Sequence, residues 1–171
     1  MHNESESVEE VTGFSPTRRS LVKGAAWSLP VIAVAVATPL ASASTVDVGA
    51  FHLNGTCGVL GVLGPGFTLT AGPTPLPVGT TVVITGSGVA NIGVFSVTGG
   101  TASVSVLNGT SRSITLTSAV PANATIAFRT TLSISVAFTL SAVTTLPADY
   151  TSTGGKPAAS VSATLILCSA T

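Results

Sequence analysis

Charge is scarce in this chain, and aromatic residues are scarcer still. Charged residues make up 7% of the 171 and aromatics 5%, and six lysines and arginines balance six aspartates and glutamates. All four glutamates, Glu4, Glu6, Glu9 and Glu10, fall within the first ten residues, and Arg18, Arg19 and Lys23 also lie near the start. Beyond residue 43 the charges reduce to Asp47, Asp149, Arg112, Arg129 and Lys156, three cations against two anions, a net of +1, with His52 as the one histidine. These absences exclude much chemistry. Nucleic-acid recognition needs a basic patch or stripe, and there is none. Glycosidase-type acid–base work needs a pair of carboxylates with separated pKa values, and zinc or calcium sites need clustered ligands, so no metal, no cofactor and no enzymatic activity are expected. No glycine-rich loop follows a strand and opens a helix, so phosphate cradling has no support. A serine–histidine–aspartate triad is the one scheme the inventory permits, with His52 and either Asp47 or Asp149. No Gly-x-Ser-x-Gly elbow accompanies it, because Gly86-Ser87-Gly88 lacks the spacing. A serine hydrolase is therefore a remote alternative.

Cysteine is limited to Cys57 and Cys168. An even count predicts a disulfide if the chain reaches an oxidising compartment. It would close a loop of roughly 110 residues and contribute up to about 4.7 kcal/mol in the chain-entropy treatment. Two isolated cysteines without a Cys-x-x-Cys spacing or a histidine partner are a poor metal site.

Residues 1–16 are polar and acidic. Thr17-Arg18-Arg19-Ser20-Leu21-Val22-Lys23 follows, then the modestly apolar run Gly24 to Leu40, then the small residues Ala41 and Ala43. This order resembles a twin-arginine export signal, whose usual pattern is Ser/Thr-Arg-Arg-x-Phe-Leu-Lys. Thr17, Arg18, Arg19 and Lys23 match that pattern, and Leu21 and Val22 replace its Phe and Leu. The resemblance implies handling by the twin-arginine translocase and by signal peptidase, with cleavage after Ala43. Competing readings are the general secretory route and a retained anchor. The apolar run is only about 17 residues long and is broken by Pro30 and Pro39, whereas a span needs about 20. Ala25-Ala26-Trp27-Ser28-Leu29-Pro30-Val31-Ile32-Ala33-Val34-Ala35 also resembles small exported surface proteins of high-GC Gram-positive bacteria. The domain reading is thus a signal segment over 1–43 and one exported domain over 44–171, about 128 residues, enough to bury a core.

After Leu40 no segment shows sustained helical periodicity. Short runs rich in Val, Ile, Leu, Ala and Thr alternate with Gly, Pro, Asn and Ser, the pattern of an all-β protein. The expected strands are 46–53, 58–63, 66–71, 79–86, 91–98, 101–107, 110–118, 124–130, 132–142 and 159–168. In Leu132 to Leu140 every apolar residue of the clear alternation is even-numbered, so one face is buried and the other hydroxylated. Val161, Ala163, Leu165 and Leu167 repeat the alternation. At Asn108-Gly109, a three-residue loop pairing Val106 with Thr110 and Val104 with Arg112 keeps Val104, Val106, Ile114 and Leu116 on one face, with Gly109 left-handed in a bulge. Residues 72–79 carry too many prolines for a central strand and predict a crossing loop. A two-sheet sandwich of immunoglobulin-like or Greek-key type is the expected fold.

The stretch 146–157 is the longest without strand character, which makes Asp149, Tyr150 and Lys156 the candidate recognition residues. The phenylalanines fall on apolar runs and predict core positions, leaving Tyr150 as the available aromatic. Lys156 and Asp47 are the pair with which an isopeptide lock of the pilin kind would have to be made. Asn54-Gly-Thr56, Asn108-Gly-Thr110 and Asn123-Ala-Thr125 match glycosylation acceptors but read as turns. Two functional expectations follow. The first is a non-catalytic surface or envelope protein with a structural, assembly or adhesion role, self-associating through uncharged strand edges. The second is a soluble secreted module that binds a ligand through 146–157. No Leu-Pro-x-Thr-Gly sorting signal and no C-terminal membrane span are present, so no stable membrane span is expected in the mature chain.

Overall fold

The alternation read from the sequence is realised as strands. The computed structural model describes residues 44–59, 63–132, 137–164 and 167–171, so the export motif Thr17, Arg18, Arg19, Leu21 and Lys23, the cleavage residues Ala41 and Ala43, and the centre of the 132–142 strand lie outside the described residues. The strands are β1 (Val46–Asp47), β2 (His52–Thr56), β3 (Gly66–Thr70), β4 (Thr81–Ser87), β5 (Phe95–Thr98), β6 (Ala102–Asn108), β7 (Ser111–Leu116), β8 (Thr125–Thr130), β9 (Phe138–Thr145), β10 (Tyr150–Thr151), β11 (Ala158–Thr164) and β12 (Leu167–Ala170). Among the described residues there is no helix.

Two antiparallel sheets pack as a sandwich. One has the order β12-β11-β9-β4-β7-β6 and the other β2-β3-β8-β5, while β1 and β10 form a short parallel pair. The period of two does the sorting: Val82 and Ile84, Ile114 and Leu116, Phe138 and Leu140, and Val161 and Ala163 point inward from the larger sheet. Leu53, Phe67, Leu69, Ile126 and Phe128 meet them from the smaller one. All the phenylalanines after residue 50 are buried, as their positions on apolar runs predict. The proline-rich stretch 72–79 is a crossing loop whose Leu76 is buried and bridges Val120.

Four local expectations are corrected. The segment 46–53 is not one strand, because Gly49 takes a left-handed φ of 71° and turns the chain between β1 and β2. Of residues 58–63, those described show an isolated bridge between Val59 and Leu63 in place of a strand, following Gly58 at φ 72°. The last strand divides into the hairpin β11–β12, which leaves Leu167 exposed instead of inward. At Asn108-Gly109 the register is Val104↔Ile114 and Val106↔Arg112, with Asn108↔Ser111 closing a two-residue turn and a bulge between Val106 and Asn108. The shift of two residues keeps Val104, Val106, Ile114 and Leu116 on one face, but Val106 is 70% exposed. Gly109 is not left-handed. A Cβ there would lie 2.8 Å from the carbonyl oxygen of Ala90, so close passage of the chain, not φ, demands glycine.

One lateral side of the sandwich is sealed. The Cys57–Cys168 disulfide joins β2's end to β12 across 111 residues of sequence, with the Cα atoms 5.8 Å apart. Beside it the Gly55 amide donates to the Thr171 carbonyl at 2.7 Å, and the Thr171 amide donates to Ser160 at 3.0 Å. β2 lies so close to β11 here that a Cβ on Gly55 would stand 2.3 Å from the Ser160 oxygen. Replacing Cys57 and Cys168 by alanine should lower the unfolding free energy by about 2–5 kcal/mol, read as a lower urea midpoint at unchanged strand content.

Candidate functional site

The stretch 146–157 is tied down along most of its length. It runs parallel to residues 46–54. The amides of Val46 and Val48 donate to the carbonyls of Asp149 and Thr151, both at 2.9 Å. Further along, Lys156 donates to Phe51 at 2.8 Å and Leu53 donates to Lys156 at 2.9 Å. The expectation of a structureless loop is therefore corrected: Tyr150 and Thr151 are β10, paired with Val46 and Asp47. Tyr150 is half-buried against the core rather than displayed as a platform.

Asp47 is the polar centre of this clasp. Its Oδ1 accepts the Gly49 amide at 2.8 Å and the Thr153 amide at 3.0 Å, while the Ser152 hydroxyl donates to the Gly49 carbonyl at 2.7 Å. The Thr153 hydroxyl, then the Gly49 and Thr153 amides, hold the Asp47 carboxyl below its ordinary pKa. Among the described residues no hydrogen bond joins His52 to Asp47 or Asp149, and Asp47 Oδ1 instead accepts the two amides of its clasp. His52 stands exposed at the start of β2.

Lys156 and Asp47 are not paired either. The Lys156 ammonium donates to Asn54 Oδ1 at 2.9 Å, and two residues along β2 the Thr56 hydroxyl accepts from Arg129 Nη1 at 2.8 Å. Asn54 and Thr56 share the outward face of β2, so the lysine and the arginine flank one another there. Both cations rest on neutral acceptors. Burial lowers the Arg129 guanidinium from its ordinary pKa, and its Nε is buried without a partner among the described residues. Asn54 is thus a strand residue, whereas Asn123, at φ 60°, is a turn residue as the sequence predicts.

Arg112 carries no mark in its sequence context, yet it is the most buried charge among the described residues. It is 5% exposed, and its guanidinium binds the carbonyls of Asn108, Gly109 and Ser111 and the side chain of Asn91 (2.9 Å). None of these partners is a carboxylate. The cation fastens the β6–β7 turn to the loop before β5, which is a positioning task rather than a reactive one. A shallow open depression of about 230 Å³ lies elsewhere, lined by Ser87, Gly88, Phe138, Thr139, Ser162 and Thr164, with no titratable group among its walls. No group of three metal-ligating side chains occurs among the described residues.

The outward faces are hydroxyl ladders. On the larger sheet Ser103, Thr115, Thr81 and Thr145 form one row across four strands, and Ser87, Thr139, Ser162 and Ser169 form another. Many of these groups satisfy each other, as in Thr139–Ser162 at 3.2 Å and Thr70–Thr125 at 2.8 Å on the smaller sheet.

No family model matches this chain, and neither a curated protein nor a solved structure is similar to it.

The Asp47 clasp has a testable pH signature. A depressed folded-state pKa gives stability that is complete above the unfolded aspartate pKa and is lost as pH falls through the lower folded value. Exchange of the Gly49 and Thr153 amides, corrected for intrinsic pH dependence, should accelerate across that acidic window. Asp47→Asn, whose side-chain oxygen still accepts but does not titrate, should remove the step.

Proposed function

We propose that the chain is an exported, non-catalytic protein of the cell surface or envelope, with a structural, assembly or adhesion role. The observation that carries this reading is the asymmetry of the sandwich: one lateral side is stapled by Cys57–Cys168, and the other ends in the long uncharged strand β6. A disulfide fits an oxidising, extracellular setting. The leader supplies the route: Thr17, Arg18, Arg19, Leu21 and Lys23 would engage the twin-arginine translocase, and signal peptidase would cut after Ala43. Few charges and many paired hydroxyls suit a wall or coat component better than a chemical catalyst.

A second reading, a soluble secreted binding module, draws on Lys156 and Arg129, two cations held by neutral acceptors on one outward face. An anionic glycan has the chemistry to displace Asn54 and Thr56 from them. Replacing residues 146–157 by a Gly-Ser linker would also remove the clasp, so the sharper change is Lys156→Met with Arg129→Met. On this reading the pair of substitutions abolishes capture of an acidic polysaccharide and leaves the thermal midpoint within a few degrees. Unchanged capture sinks it.

Fractionation of producing cells on a non-reducing gel separates the two. The surface protein should run in the envelope fraction as large species and disappear from it when Arg18 and Arg19 are both lysine. A single compact band confined to the medium would instead support the secreted module.

A further inference from the structure

The side of the sandwich away from the disulfide has unused hydrogen-bonding capacity in a definite register. The Thr117 amide donates to the Thr101 carbonyl at 3.1 Å, so Thr101 opens the set of residues whose main-chain groups face β7. In an antiparallel ladder that set alternates, and it continues with Ser103 and Ser105. The neighbouring ladder agrees, because the Leu116 amide donates to Thr80 and even-numbered β7 residues therefore face β4. The N–H and C=O groups of Ala102, Val104 and Val106 consequently point away from the sheet. Among the described residues no hydrogen bond reaches them.

β2, by contrast, has its outer groups engaged, Leu53 by Lys156 and Gly55 by Thr171. β5 is open but only four residues long, against seven for β6.

We infer that β6 is a self-pairing edge: it adds antiparallel to β6 of a second copy about a two-fold axis through Val104. This rests on the assembly reading and names its partner. In that register Val104 faces Val104 of the second copy, Ala102 faces Val106, and Ser103 faces Ser105. The three residues with free main-chain groups meet one another as hydrogen-bonded pairs. Apolar side chains meet apolar ones on the inner face, and hydroxyls meet hydroxyls on the outer face. An axis through Ser105 would set Ser103 against Leu107. A one-residue slip would turn apolar side chains against hydroxyls. Natural edges are usually guarded by lysine, proline or an inward charge, and Ala102–Asn108 has none of these. The bulge after Val106 lies beyond the three pairs and limits the contact to them. Val106 and Leu107, at 70% and 56% exposure, belong to β6 itself and are apolar surface next to that contact.

The test is the solution mass of the chain purified from producing cells, by sedimentation equilibrium. The wild type should show twice the monomer mass. Ser103→Lys with Ser105→Lys, both exposed positions, sets like charges opposite each other and should return the monomer mass. A disruptive variant that fails to fold is bypassed by a cross-link. Ser103→Cys and Ser105→Cys chains, mixed under mild oxidation, should form one heterologous disulfide, since that pair is non-hydrogen-bonded with Cα atoms about 4.5 Å apart. Each variant alone should cross-link much less. A monomeric wild type overturns self-pairing. A dimer that survives the lysines, or cross-links Ser105→Cys to itself as well as to Ser103→Cys, overturns this edge and register while the assembly reading stands. An intact dimer released wholly into the medium overturns the assembly reading and leaves the pairing in place.

Discussion

The joining of β2 to β12 is the constraint on which the rest of the sandwich depends. Two sheets with apolar inner faces have a strong reason to pack and little reason to stay aligned at their margins. Here the margin is fixed covalently by Cys57–Cys168 and by main-chain bonds through Thr171, with Gly55 allowing the backbones to approach. Closing so long a loop removes many conformations from the unfolded chain, which matters in a domain with few aromatic side chains to bury. The same seam places β2 beside the 149–156 segment, and so it creates the surroundings of Asp47, Asn54 and Lys156.

Features governed by local rules were legible in the sequence. The alternation of Phe138, Leu140 and Ala142, of Val161 and Ala163, and of Ile114 and Leu116 identifies the buried face of each strand, because a strand has a strict period of two. The disulfide followed from a count. The parallel pairing of Val46-Asp47 with Tyr150-Thr151 was not legible: two short polar segments a hundred residues apart carry no periodic signal, and their bonds are almost all main-chain. Nor was the division of β11 from β12, where Leu165 and Leu167 extend the alternation past the point at which the chain turns back. At Asn108-Gly109 the pattern gave the shared face but not the register. The turn is set by the Arg112 guanidinium gathering carbonyls, and a side chain three or four residues away is outside any turn rule.

The candidate site shows the same division. Asp149, Tyr150 and Lys156 are marked in the sequence only by the length of the stretch that carries them. Loop length carries no information on what the loop lies against. Lys156 turns toward Asn54, and Asp47 accepts from Gly49 on its own segment and from Thr153 on the opposite one, partners that the parallel pairing brings within reach. Arg129 had no local mark at all. It acquires its place from the β3–β8 and β2–β3 registers, which bring it beside Thr56.

The hydroxyl ladders give the surface an unusual relation to electrolyte. With five charged side chains among residues 44–171, and with much of the outer polar bonding made between Ser and Thr, there is little for salt to screen and little to titrate near neutrality. A partner approaching such a surface is not steered. Encounters proceed at the unassisted rate of about 10⁵–10⁶ M⁻¹s⁻¹, and what accumulates is decided by how long contacts last. A molecule built in this way keeps its surface bonding through wide swings in the ionic strength of its surroundings.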